Sequence, residues 1–514
     1  MGNVKKQNVS ERLLSLLRDG RELSPRQQLT LVYHLSLPAM LAQIATVTMF
    51  FIDAAMVGHL GANEAASIGI VETTLWLFGG LTGALATGFY VQVAHRIGAK
   101  EDAAARSVLK EGFTTCLAFA STLALAGVVV SRWLPVWLGG GPEIQADAST
   151  YFLLFSVFAP FMIMNQFGAG VLRCAGDIKT PSIMEAGLCV LDVVLNFLLI
   201  FPTREVCIGG ITLTMPGAGL GVAGAALGTG FAFVVVVCTM LWIIARRQGP
   251  LRILGERWNG WRTFVPRLAT VRRALGIGTP IGLQHMLMSC AQIFITVIVA
   301  PLGAFAIAAN SFAITAESIC YMPGYGISDA ATTLVGQSVG ARRWYMARRL
   351  AGVSVMMAML IMGIMGVVLY FGADSIMGIM SPQQEIIDLG ASALRIEAFA
   401  EPMFGCAIVC YGAFVGAGTT TVPALMNLAS MWGVRITLAL LLVGSMGLDG
   451  VWTAMAVELT FRGVIFLIRL HSHSWLPKQE RKTAGSSESS ESSESSESSE
   501  SSETSQNSDN KLST

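Results

Sequence analysis

Charge is scarce in this chain: of 514 residues, 13% are Asp, Glu, Lys or Arg, against 53% hydrophobic. Soluble domains carry roughly a quarter charged residues. Too few charges remain to coat a water-facing surface, and a mean hydropathy of +0.61 excludes a set of ordinary soluble domains. The 34 Lys and Arg nearly cancel the 33 Asp and Glu, so no basic excess points to nucleic acid as a partner. Nine Cys show no Cys-x-x-Cys or Cys/His cluster, and six His show no metal-ligand spacing. Neither a disulfide framework nor a zinc site is indicated, and the Cys read as small core residues. An intramembrane enzyme would need a nucleophile with its base or a motif such as His-Glu-x-x-His; neither is found, and no cofactor is expected. The first 30 residues carry Lys5, Lys6, Arg12, Arg18, Arg21 and Arg26 around the short apolar pattern Leu13-Leu14-Ser15-Leu16-Leu17. That is not a cleavable signal peptide, so the first apolar span is expected to act as the insertion signal.

Long apolar runs are what the chain has instead. Crossing a hydrocarbon core takes about 20 such residues, and runs of that kind fall at 33–57, 65–90, 112–134, 150–172, 182–202, 219–245, 274–300, 305–334, 350–371, 387–415, 422–444 and 449–469. They are too long and too continuously apolar for the alternating strands of a barrel. The fold class expected is therefore an all-α integral membrane protein of twelve spans. The breaks after even-numbered spans hold Arg96, Lys100 and Arg106, Arg173 and Lys179, the segment Arg246 to Arg273, and Arg342, Arg343, Arg348 and Arg349; the odd-numbered breaks hold one basic residue, Arg204. By the positive-inside rule both termini are expected in the cytoplasm of a plasma (inner) membrane protein. The Ser-Ser-Glu repeat from Ser486 to Glu503 has nothing to bury and reads as a disordered cytoplasmic tail.

The sequence also repeats itself. A shift of 242 positions places Pro38 on Pro280, Leu60-Gly61-Ala62 on Leu302-Gly303-Ala304, Gly98-Ala99 on Gly340-Ala341, Arg106 on Arg348, Ala175-Gly176 on Ala417-Gly418 and Pro181 on Pro423. Past span 5 the shift drops to 229, because the outer break before span 6 is the longer one, and Gly221-Val222 meets Gly450-Val451. Two parallel six-helix bundles follow, an arrangement suited to alternating access by rocking of one bundle on the other. The organisation expected is an N-terminal segment 1–30, a first lobe 31–245, a linker 246–273, a second lobe 274–470 and the tail 471–514.

Ionisable groups within a bilayer are costly enough to mark function. In the first lobe they are Asp53 on span 1, Glu72 on span 2 and Asp192 on span 5; with Asn196 and Thr229 they occupy similar levels in the outer half. Carboxylates with amide and hydroxyl oxygens suit Na⁺, and a desolvated carboxylate suits a proton; the residues permit both. The repeat partners of Asp53 and Asp192 are Ile295 and Val434, so the second lobe lacks the equivalent site. It carries instead Glu317, Glu397, Glu401, Glu458, Arg435 and Arg462, read as lining a substrate cavity or pairing locally, with Glu397 and Glu401 on one face of span 10 and Glu458 and Arg462 on one face of span 12.

Pro38 followed by Asp53-Ala54-Ala55-Met56-Val57-Gly58-His59-Leu60-Gly61, then Gly170 to Asp177 with Pro181, Tyr321-Met322-Pro323-Gly324-Tyr325-Gly326-Ile327-Ser328, and Gly336 to Ala341 resemble the multidrug and toxic compound extrusion (MATE) family over about residues 30–470. The resemblance implies a MATE-like fold and a secondary transporter exporting drugs, dyes or metabolites, cationic or amphipathic, in exchange for Na⁺ or H⁺. It places a first-lobe cation site on Asp53, on the span 5 pair and on Thr229; in span 5 this chain departs from the family, since Asp192-Val193-Val194-Leu195-Asn196 has the acid and amide exchanged. Some members carry a Glu on span 7 where this chain has Met288. The break after span 2 reads His95-Arg96-Ile97-Gly98-Ala99-Lys100, unlike the motif of major facilitators. The alternative function is a lipid-linked glycan flippase, which would need several Arg or Lys in its cavity. Membrane lipid and a small-molecule substrate are the expected partners, and a monomer the expected state. The topology predicts that Cys placed at Gly141 and Gln383 reacts with an impermeant thiol reagent on intact cells and Cys at Lys100 and Arg343 does not; the reverse pattern would invert the orientation.

Overall fold

A chain this apolar must close its backbone hydrogen bonds within itself, and it does so as helices. A computed structural model describes residues 9–208, 211–246 and 264–476. The helices are α1 Val9–Arg18, α2 Pro25–Gly58, α3 Ala62–Gly98, α4 Asp102–Val130, α5 Leu134–Trp137, α6 Pro142–Cys174, α7 Lys179–Ile200, α8 Gly221–Arg246, α9 Leu268–Val299, α10 Ala304–Gly340, α11 Trp344–Met380, α12 Gln384–Ala398, α13 Glu401–Gly416, α14 Thr421–Ala429, α15 Thr437–Met446 and α16 Leu448–His471. Among the described residues eleven spans are long and apolar enough to cross a membrane, α14 and α15 forming one through a π-helical turn, and the bent pair α12 and α13 supplies a twelfth. The expectations for linker residues 247–263 and tail residues 477–514 lie outside the described residues.

Two elements were not anticipated. The break between spans 5 and 6 is an antiparallel hairpin of β1 Pro202–Ile208 and β2 Ile211–Ala218 rather than a plain loop. Span 10 is not one helix: α12 and α13 meet at 59°, where Pro402 in the first turn of α13 can donate no backbone hydrogen bond.

The duplication is legible in the packing. Within the first lobe α3 packs on α6, α6 on α8 and α7 on α8; the second lobe repeats this with α10 on α13, α13 on α16 and α15 on α16. Between lobes α2 packs on α10 and α9 on α3, which are again repeat partners.

At the end where the basic loops lie, the lobes meet backbone to backbone. A Cβ on Gly98 would stand 2.1 Å from the Gln337 carbonyl oxygen, and one on Gly340 would stand 2.1 Å from the His95 carbonyl oxygen. His95 and Gln337 are repeat partners and act alike: a ring nitrogen of His95 lies 2.8 Å from the Gly416 carbonyl, and Gln337 Nε2 donates to the Cys174 carbonyl at 2.7 Å. Lys100 and Arg342, also partners, both turn through positive φ (60° and 57°) just beyond the seam. Deeper in, Arg173 Nη1 donates to Asp329 Oδ2 across the lobes at 2.8 Å. Since both Gly98 contacts are to backbone, which cannot rotate aside, Gly98→Ala and Gly340→Ala should each cost about 1–3 kcal/mol. Thermal unfolding in detergent should show both less stable than the parent, while Gly352→Ala on α11, where an added methyl meets nothing within 4 Å, should leave the midpoint unchanged or raised.

Candidate functional site

The first-lobe residues picked from sequence do converge. Asn196 on α7 donates through Nδ2 to Asp53 Oδ1 on α2 at 2.9 Å and to Asp192 Oδ2, one turn earlier on its own helix, at 3.1 Å. The i, i+4 spacing of Asp192 and Asn196 puts both on one helix face, so exchanging acid and amide along α7 preserves the set. Asp192 and Asn196 are 0% and 1% exposed, and Asp53 is half-buried. Thr229 on α8 and Asp53 both lie beside Asp192, yet Asp192 Oδ1 and Asn196 Oδ1 accept no hydrogen bond. The approach depends on Gly228: a Cβ there would be 2.1 Å from Asn196 Oδ1. Two facing carboxylates repel when both are charged, and one positive charge between them, a proton or a metal cation, relieves this. The oxygen donors offered are those a hard cation takes. Among the described residues no group of three or more His, Cys, Asp or Glu is placed to hold a metal.

Glu72 does not join this hydrogen-bonded set. Its exposed carboxylate accepts from Trp76 Nε1 at 3.3 Å, and the Trp76 ring lies 5.7 Å from the Phe50 ring of α2. Tyr151 on α6 connects the two parts, lying within electrostatic reach of Asp53, Asp192 and Glu72. Sequence reasoning missed Tyr151 and Gly228; a phenol and a glycine in apolar runs carry no mark of their own, although the small residues around Gly228 point to close packing.

In the second lobe Glu317, Glu397, Glu401, Glu458, Arg435 and Arg462 are all buried. Glu397 lies within electrostatic reach of Glu317, Glu401, Glu458 and Arg435. Glu458 Oε1 accepts from Ser430 Oγ at 2.5 Å and from Arg462 Nε at 2.7 Å, which bears out the local pairing on span 12. The reading of Glu397 and Glu401 as neighbours on one helix face is corrected by the break: Glu397 lies in the last turn of α12 and Glu401 opens α13. Neither carboxylate has a hydrogen-bond partner. Arg435 sits in the π-helical turn Ser430–Ile436, with Nη1 3.6 Å from Met431 Sδ. Ile295, the repeat partner of Asp53, belongs to an apolar cluster with Val299 and Ala313.

Two helical lobes of membrane-length apolar spans with carboxylates buried within them have the build of a multi-pass membrane transporter. The MatE family model matches residues 38–198 and 280–441, once per lobe and with starts displaced by the same interval as Pro38 and Pro280. The chain belongs to the MatE family. It is 25% identical over 445 residues to a probable multidrug resistance protein NorM of Thermotoga maritima, covering 86% of this chain and 92% of that one. Its identity to a probable NorM of Pseudomonas aeruginosa is 27% over 443 residues, covering 84% and 86%. In fold it is similar to a crystal structure of MATE in the straight conformation, with a TM-score of 0.79, 21% identity and coverage of 89% and 98%. It is also similar to a MOP superfamily transporter from Pyrococcus furiosus, with a TM-score of 0.78, 20% identity and coverage of 91% and 98%.

The Glu458–Arg462 pair gives a test of the second lobe independent of transport. Removing one partner of a buried ion pair costs about 3–5 kcal/mol, whereas replacing both with apolar groups is often close to neutral. Glu458→Ala should lower the unfolding midpoint sharply, and the double variant Glu458→Leu with Arg462→Met should recover most of the loss.

Proposed function

We propose that the protein is an antiporter exporting small cationic or amphipathic compounds, drugs and dyes among them, in exchange for Na⁺ or H⁺, with Asp53, Asp192, Asn196 and Thr229 as the coupling site. The observation that carries this reading is the single Asn196 amide shared between two facing carboxylates, one of which keeps an oxygen without a hydrogen bond. Such a pair takes up one cation and changes its hydrogen bonding as it does so. Because Asp53 is on α2, which packs on the second lobe through α10, ion occupancy at the pair is felt where the lobes meet. The similarity to NorM proteins described as multidrug resistance proteins supports the substrate class.

Glu72, with Trp76 and Phe50, faces the substrate rather than the ion: an exposed acid beside aromatic rings attracts an organic cation. The second-lobe acids Glu317, Glu397, Glu401 and Glu458, with Arg435, remain cavity-lining candidates. A lipid-linked glycan flippase is less well supported, since of the buried second-lobe arginines Arg435 and Arg462, the latter is already engaged by Glu458. The basic-loop end is taken as cytoplasmic in the plasma membrane, and a monomer suffices because one chain supplies both lobes.

Dye efflux from reconstituted vesicles under separately imposed Na⁺ and proton gradients tests the coupling site. Asp53→Asn removes the charge and keeps the shape. It should express normally and lose gradient-driven efflux; Asp192→Asn should be impaired less. Gly228→Ala should impair coupling without touching an acid, by pushing Asn196 off the pair. Wild-type efflux by Asp53→Asn under both gradients would move the coupling site to the second lobe.

A further inference from the structure

The seam between the lobes is nearly two-fold in the contacts of α3 and α10, and α1 lies across it. α1 is amphipathic: Leu13, Leu14 and Leu17 are buried in one cluster with Leu31 and Leu35 of α2, Ile178 beyond α6, and Val335 and Val339 of α10, so it touches both lobes. Its last residue, Arg18, donates through Nε to Gln337 Oε1 in the second lobe and through Nη2 to the Ala175 carbonyl in the first, both at 3.2 Å. Gln337 is the residue whose amide already crosses the seam to Cys174. Below Arg18, Asp19 pairs with Lys100 of the first lobe at 2.7 Å, and Arg343 of the second lobe donates to the carbonyls of Leu17 and Arg21 at 3.3 and 2.6 Å. Gly176 is shaped for the contact. It holds φ +93°, and a Cβ there would stand 2.4 Å from Leu14 Cδ1.

We propose that α1 is a bolt across the two lobes: it holds the basic-loop end shut and must be drawn before that end can open. The inference rests on the reading that this end opens during the transport cycle. An opening that separates Gln337 from Ala175 cannot leave Arg18 bonded to both, because the fork of one guanidinium spans only a few ångströms. Burial pulls the Arg18 guanidinium below its ordinary value, and Asp102, Asp19 and Glu11 counter this. With one of its two bonds broken, the part-buried guanidinium is left half-satisfied, which favours withdrawal of the helix.

Cys174 is a native reporter, 2% exposed at the seam. In full-length protein reconstituted in nanodiscs with Cys174 as its only cysteine, the rate of labelling by a water-soluble maleimide measures opening. Arg18→Ala should raise that rate tenfold or more, and Arg18→Lys by less, since an ammonium still makes one of the two bonds. Asp19→Lys, on an exposed pair, should raise it a few-fold, and Asp19→Lys with Lys100→Asp should restore the parent rate. Equal labelling rates in all variants would overturn the proposal. The assay needs neither substrate nor ion gradient, so its failure is distinct from failure of the coupling site at Asp53.

Discussion

The structure depends on backbone meeting backbone between α3 and α10. In a bilayer there is no hydrophobic force to bring helices together, so close approach through small residues does that work, and Gly98 and Gly340 allow it at both repeat positions. Everything else at that end follows from this contact. His95 and Gln337 can reach carbonyls of the opposite lobe only because the helices touch, and Arg173 can meet Asp329 only because α6 and α10 are drawn in with them. The basic residues lie just beyond, where the chain leaves the apolar layer.

The chemistry sits away from that contact and is distributed unequally. In the first lobe two acids and an amide form one small set, placed by a glycine on α8 that leaves room for Asn196. In the second lobe the acids are more numerous but scattered over α10, α12, α13 and α16, and one of them is neutralised by Arg462. Glu397 and Glu401 have no hydrogen bond to hold them, a costly state in a low-dielectric interior. That cost is the physical reason they are read as functional rather than structural.

Most of the fold was legible in the sequence because span length, loop charge and the 242-residue repeat report on separate constraints: membrane thickness, insertion and gene-level duplication. Spans came out longer than their apolar runs, since helices continue past the hydrocarbon into the loops, as α3 does to Gly98. What could not be read was anything set by tertiary contact. Leu13, Leu14 and Leu17 were visible as a short apolar pattern, yet too short to be stable as a helix alone; their partners on α2 and α10 make α1. The bend at Pro402 was likewise hidden inside a continuous apolar run. At the site, residues at similar helix levels include a hydrogen-bonded set of Asp53, Asp192 and Asn196 with Thr229 beside it, while Glu72 stands outside that set, because level along a helix says nothing about which way a side chain points around it.

Duplicated halves offer a way to separate structural from functional residues within a single chain. Where both lobes need the same thing, partners at the 242 interval match or play the same role, as at Gly98 and Gly340, His95 and Gln337, and Lys100 and Arg342. A rocking motion about an axis between the lobes requires that equality, since the contacts on either side of the axis are strained together. Where the partners differ in kind, no shared mechanical need explains them. Asp53 against Ile295 and Asp192 against Val434 are such differences, and they fall in one small volume. A helix bonded to both sides of the seam, as α1 is through Arg18, changes the balance between the states that the seam connects without changing the motion itself. In the function proposed above, the acids of the first lobe take the driving ion, and α1 sets how readily the basic end yields.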